Sequence, residues 1–137
     1  MSKVLIAEDN PVNRELLREL LETRGYSVIE ASDGQEALTR IEESRPDLLL
    51  LDLDMPVLDG FATVRRIREH SSLATLPVLA ITAYVMHGDR ERVLASGFDG
   101  YLSKPIQSRS LFEELERFLG KHNNEPNPAA RNAQAGK

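Results

Sequence analysis

"LLLLDLDMPVLDG", residues 48–60, carries four leucines into two aspartates, breaks at a proline and closes on a third aspartate and a glycine. Four consecutive apolar residues cannot alternate with polar ones, so the stretch reads as a strand covered on both faces, the habit of a central parallel strand. In open α/β sheets ligands sit outside the carboxyl ends of the strands. Asp52 therefore stands where a functional group would be placed, and Pro56 with Gly60 turns the chain away behind it.

Similar apolar runs recur on both sides: "KVLIA" (3–7), "YSVIE" (26–30), "DLLLL" (47–51), "PVLAIT" (77–82) and "GYLS" (100–103). A helical pattern separates each from the next. Asn10 caps the first helix, Pro11 fits its first position, and Val12, Leu16, Leu17, Leu20 and Leu21 form one apolar stripe that Gly25 ends. Asp33 and Glu36 suggest a capping box for the second helix, which presents Ala37, Leu38 and Ile41. Further helices fit 60–70, about 87–96 and 108–120, the last with Leu111, Phe112, Leu115, Phe118 and Leu119. Strand and helix alternate five times, which predicts an α/β fold: a doubly wound parallel sheet with helices on both faces and right-handed crossovers.

The 137 residues, 41% of them hydrophobic, suffice for one domain with a real core. The fold is expected over 1–120. The tail 121–137, rich in Asn, Pro, Ala and Gly without apolar periodicity, is expected to be disordered. Without cysteine there is no disulfide framework, thiol nucleophile or thiolate metal site, and a reducing compartment fits. The start offers only four apolar residues before its acids, too few for a signal core or membrane span, so a cytoplasmic protein without membrane contact is the default. A net charge of -5 argues against direct nucleic-acid binding. Arg65, Arg66 and Arg68 cluster, but they interrupt the pattern of Phe61, Val64 and Ile67 and read as a solvated helix face. His70, His87 and His122 are scattered without metal-ligand spacing and read as surface residues.

In a parallel sheet the residues at the strand ends gather along one edge. Glu8 and Asp9 follow the first strand, Asp52 the third, Thr82 the fourth, and Lys104 with Pro105 the fifth. Three carboxylates within about 4 Å would repel by roughly 4 kcal/mol per pair at an effective dielectric near 20. Either protons are taken up or a hard divalent cation sits among the oxygens, and Mg²⁺ suits few carboxylates with retained waters. A hydroxyl and an ammonium opposite would hold the remaining oxygens of a phosphoryl group, with Asp52 as nucleophile. Singly each residue has an ordinary use: Glu8, Asp9 and Asn10 as helix caps, Asp52 and Asp54 as turn residues, Thr82 and Lys104 as solvated strand ends. Capping and turn duties do not require acid, acid, hydroxyl and ammonium together.

With these residues in view, the sequence resembles a response-regulator receiver domain. "LIAEDN", "LLLLDLDMPVLDG", "AITAY" and "GYLSKPI" match the family's four signature stretches in order, over about residues 2–120. The resemblance implies the strand order 2-1-3-4-5, which sets the first and third strands side by side at the switch point. It implies that Asp52 accepts a phosphoryl group from the phosphohistidine of a sensor histidine kinase or histidine phosphotransfer protein. Asp9, Asp52 and the backbone carbonyl of Asp54 would bind Mg²⁺, with Glu8 helping directly or through water. Thr82 and Lys104 would bind phosphoryl oxygens, and Tyr101 would be the switch that turns inward as Thr82 moves. Output to a downstream target would run through the fourth helix, fifth strand and fifth helix, with homodimer formation on phosphorylation left open. Two departures stand out: Glu8 replaces a more usual aspartate and lengthens one ligand arm, and Asp54 is an acid where Met, Asn or Gln is more common. Asp54 would border the phosphoryl group and Tyr84 cover the other side, so both would tune its lifetime. The initial Met and polar tail favour a complete single-domain regulator.

Rival classes fit less well. The "DLD" also resembles the D-x-D of haloacid-dehalogenase-type phosphatases, but there the acid pair comes late, and here it comes first with Pro56 where Thr or Val would stand. A binding module without phosphorylation would not need the full acid, Thr and Lys set. A flavin carrier would need a Ser/Thr/Gly-rich phosphate loop after the first strand, and none is there.

Overall fold

The computed structural model describes residues 2–53, 60–83 and 89–120. The strands are β1 (Lys3–Ala7), β2 (Ser27–Ala31), β3 (Leu48–Asp52), β4 (Val78–Thr82) and β5 (Gly100–Ser103). The helices are α1 (Pro11–Thr23), α2 (Gly34–Ser44), α3 (Gly60–Glu69), α4 (Asp89–Ala95) and α5 (Ser108–Leu119), with a short 3-10 turn at Ser71–Leu73. All four strand pairings are parallel, in the order β2-β1-β3-β4-β5. The expected fold is the observed one. Strand bounds move by a residue, so that Asp52 closes β3 instead of following it.

The four leucines divide by parity, as a pleated strand requires. Leu49 and Leu51 join Ala37, Ile41, Val64 and Ile67 from α2 and α3 on one face. Leu48 and Leu50 join Leu17 and Leu21 of α1 and Leu111 and Leu115 of α5 on the other. All four are fully buried, and a buried leucine stabilises by roughly 1.5–3 kcal/mol, so β3 is the element least free to shift.

The caps form with one adjustment. Asn10 Oδ1 accepts from the N–H groups of Val12 and Asn13, and Asp33 Oδ1 from that of Glu36. Glu36 reaches back past the cap to the Ser32 N–H, one residue earlier than a strict capping box. Gly25, just beyond α1, has φ of 87°, a conformation in which a side chain would be strained.

Two expectations are corrected. The α1 stripe is not one buried face: Val12 is 73% and Leu16 52% exposed, while Leu17 and Leu21 are buried. At about 100° per residue these residues span an arc of about 180°, and the sheet covers only the half holding Leu17 and Leu21. Arg68 is not part of a solvated face either. Its guanidinium donates to the carbonyls of Gly97, Ala74 and Leu76 and pairs with Asp99 at 2.8 Å, tying α3 to the loops that lead into β4 and β5. Arg65, Arg66 and His70 are exposed as expected, whereas Pro56, His87, His122 and the tail 121–137 lie outside the described residues. Among the described residues no helix is long and apolar enough to cross a membrane.

Candidate functional site

β1 and β3 lie side by side, with Ala7 opposite Leu51, so Glu8 and Asp9 emerge beside Asp52. One oxygen from each of these three carboxylates lies within 4.8 Å of the others. Glu8 and Asp52 are each 1% exposed, whereas Asp9 opens to solvent. Thr82 is buried at the end of β4, one residue past the partner of Asp52, and its carbonyl accepts from the Lys104 N–H at 2.9 Å. That bond brings Lys104 to the acids: its Nζ lies 2.8 Å from Asp52 Oδ2 and 3.6 Å from Glu8 Oε1.

The close approach behind Asp52 explains Gly60. Its N–H donates to the Leu53 carbonyl, and a Cβ there would stand 2.7 Å from Leu53 Cα. Only glycine lets α3 begin so near the strand end. Asp54 and Tyr84, both expected to tune the site, lie outside the described residues.

The charge balance of the pocket is uneven. Burial, reinforced by a hydrogen bond to Asp52 and by that carboxylate's charge, pushes the Glu8 carboxyl up to about 7, against the N–H of Asn10 and the nearby Lys104. For Lys104 burial acts downward, but Asp52 and Glu8 outweigh it and the ammonium is held charged above its ordinary range. One ammonium facing two buried carboxylates and a third at the rim leaves negative charge in excess. An all-oxygen donor set in which one carboxylate faces solvent is what a hard cation of the Mg²⁺ type accepts, so the residues present fit that ion.

Tyr101 is half-buried on β5, and the guanidinium of Arg90 on α4 lies 5.9 Å from its ring centre. Around the acid pair the structure adds residues that the sequence did not single out. Arg14 Nη1 donates to the Glu8 carbonyl at 2.8 Å and its Nε to Glu30 Oε1 at 2.9 Å. The second Glu30 oxygen is held by Arg18. The i, i+4 spacing of Arg14 and Arg18 was visible, but their meeting with Glu30 depends on the β1–β2 pairing and is not a local signal.

The family model "Response regulator receiver domain" matches residues 4–116. The polar-differentiation response regulator DivK of Brucella anthropi is 39% identical over 117 residues, covering 85% of this chain and 95% of the relative. The receiver domain of a Pseudomonas aeruginosa sensor histidine kinase, solved with a magnesium ion coordinated in its active site cleft, superposes with a TM-score of 0.80 at 38% identity, covering 87% and 98% of the two chains. The receiver domain of the Saccharomyces cerevisiae response regulator Ssk1, co-crystallised with the histidine phosphotransfer protein Ypd1, gives a TM-score of 0.80 at 29% identity over 85% and 88%.

Proposed function

Because this chain belongs to the response regulator receiver family, and is by that membership a phosphorelay signalling switch, we propose that Asp52 is its phosphoacceptor. The observation that carries the assignment is the 2.8 Å contact of Lys104 with a carboxylate that is 1% exposed at the end of the central strand. An anion so placed is held rigidly and has its cationic partner already in reach.

Asp52 attacks the phosphorus of a phosphohistidine on a partner kinase or phosphotransfer protein. The P–N bond breaks, a P–O bond forms, and the released imidazole nitrogen takes up a proton. The exchange is catalysed within the receiver itself. Lys104 moves from Asp52 Oδ2 to a phosphoryl oxygen, and the Thr82 hydroxyl donates to another. Glu8, Asp9, Asp52 and the Asp54 carbonyl would hold Mg²⁺, which when bound would supply positive charge against the transferred group. Thr82 and Tyr101 pass the change to α4, β5 and α5, where a downstream target or a second copy binds. A chain without cysteine is compatible with a reducing cytoplasm.

The donor approaches over α1. A cavity of about 430 Å³ bordered by Glu8, Leu16, Lys104, Pro105 and Ile106 adjoins the pocket, and half-exposed Leu16 stands at its rim. An apolar rim around a charged floor suits a partner helix that carries a histidine at its centre.

The test is incubation with a small acyl-phosphate donor and Mg²⁺, read by intact mass. One phosphoryl group is expected on the wild type and none on Asp52→Asn. Equal labelling of the Asn variant would remove Asp52 as the nucleophile.

A further inference from the structure

We infer that Arg14 is a positioning residue for the acid pair: it fixes the peptide joining Glu8 to Asp9 and so sets the direction in which Asp9 presents its carboxylate. The inference rests on the reading of these acids as Mg²⁺ ligands.

β1 ends at Ala7, so the backbone of Glu8 lies beyond the regular strand. Its N–H and its carbonyl are both held all the same. The Glu8 N–H donates to the Ala31 carbonyl at the end of β2, and the Glu8 carbonyl accepts from Arg14 Nη1 at 2.8 Å. The peptide is planar, so holding its oxygen also holds its nitrogen, which is that of Asp9. Arg14 is itself fixed, since its Nε donates to Glu30 on β2. The guanidinium fork spans the two acceptors at once, which the single point charge of a lysine cannot do in the same geometry. Arg18 takes the second oxygen of Glu30 and also pairs with Glu22 at 3.1 Å, so the acceptor that orients Arg14 is anchored to α1. The acid pair thus stands on a brace between α1 and β2, on the side of β1 away from Lys104.

The sign of the effect separates positioning from charge. By Coulomb's law alone, deleting a cation near a cation site tightens Mg²⁺ binding. Loss of a partner that orients a ligand weakens it, by about tenfold or more.

The experiment is a Mg²⁺ titration followed by amide NMR, with the metal alone as probe, on the wild type, Arg14→Ala, Arg14→Lys and Arg18→Ala. Binding weaker by about tenfold in Arg14→Ala is expected, with a smaller loss in Arg14→Lys, which can still donate to the Glu8 carbonyl. Arg18→Ala removes a charge but leaves that contact, and should stay within about threefold of the wild type. Unchanged or tighter binding in Arg14→Ala, while the wild type binds, overturns the inference. Should Arg14→Ala not fold, Arg14→Lys decides: weaker binding supports the brace and unchanged affinity overturns it. A wild type that binds no Mg²⁺ overturns the metal reading itself, and the inference with it.

Discussion

At the scale of single residues the pocket is a conflict of like charges, and Glu8 is where it is most acute. Burial and the neighbouring Asp52 disfavour its anion and push its carboxyl up to about 7 from the ordinary 4.5. The folded state therefore binds more protons than the unfolded one between about pH 4.5 and 7. Stability from this group is fully present below pH 4.5 and is lost as pH rises through 7. In the presence of a chelator, the melting temperature should fall across that window, and Glu8→Gln should flatten the slope; identical slopes would show that another group titrates. The chain predicts this conflict through acids at neighbouring strand ends, but which acid yields depends on burial, which only the packed edge defines. Asp54 belongs to the same scale. Two residues beyond Asp52, its carboxylate is expected to orient the water that hydrolyses the aspartyl-phosphate, so Asp54→Met should prolong the phosphorylated state. A tenfold longer lifetime corresponds to about 1.4 kcal/mol in barrier height. Decay is followed after donor removal with Mg²⁺ present, and faster loss in the Met variant would reverse the assigned role.

Elements show where periodicity informs and where it misleads. β3 was legible because two leucines serve each face, and Leu50→Ala should destabilise by about 2–5 kcal/mol in denaturant titration. The α1 stripe looked equally apolar, yet only its sheet-facing half is covered, so Leu16→Ala should change stability by no more than about 0.5 kcal/mol. Comparable losses in the two variants would mean that α1 packs differently. Charge patterns misled more. Arg68 shares a run with two solvated arginines, and its five carbonyl and carboxylate contacts arise from loops that the sequence places up to 31 residues away. α4 presents a similar case, for Arg90 lies over Tyr101 and Arg92 over Phe61 at 4.7 Å, so a short helix is held by two ring contacts that no local pattern announces. Tyr101→Ala should alter binding of the downstream partner while leaving Asp52 open to phosphorylation. Equal partner affinity of wild type and variant in both phosphorylation states would remove Tyr101 from the switch.

For the whole molecule, the sheet order is what joins chemistry to recognition. Placing β1 beside β3 sets the acids at one edge, and the same arrangement brings α1 and the segment after β5 to either side of the opening, with exposed Leu16 next to Lys104 and Ile106. The acid, hydroxyl and ammonium set was legible because each member stands at the end of an apolar run. The exposed face was not, since an apolar residue on a helix looks the same in sequence whether the sheet or a partner covers it. The two roles can be separated experimentally, because a small acyl phosphate needs only the pocket whereas a protein donor needs the rim as well. Leu16→Glu should therefore leave labelling of Asp52 by a small donor within about twofold of the wild type. Transfer from a phosphohistidine protein should slow by about tenfold or more, the effect of about 1.4 kcal/mol lost at the interface. Leu16 lies outside the core, so the variant should melt near the wild-type temperature. Equal slowing with both donors would mean that the glutamate disturbs the pocket itself, and no slowing with either would place the phosphohistidine donor on a different face.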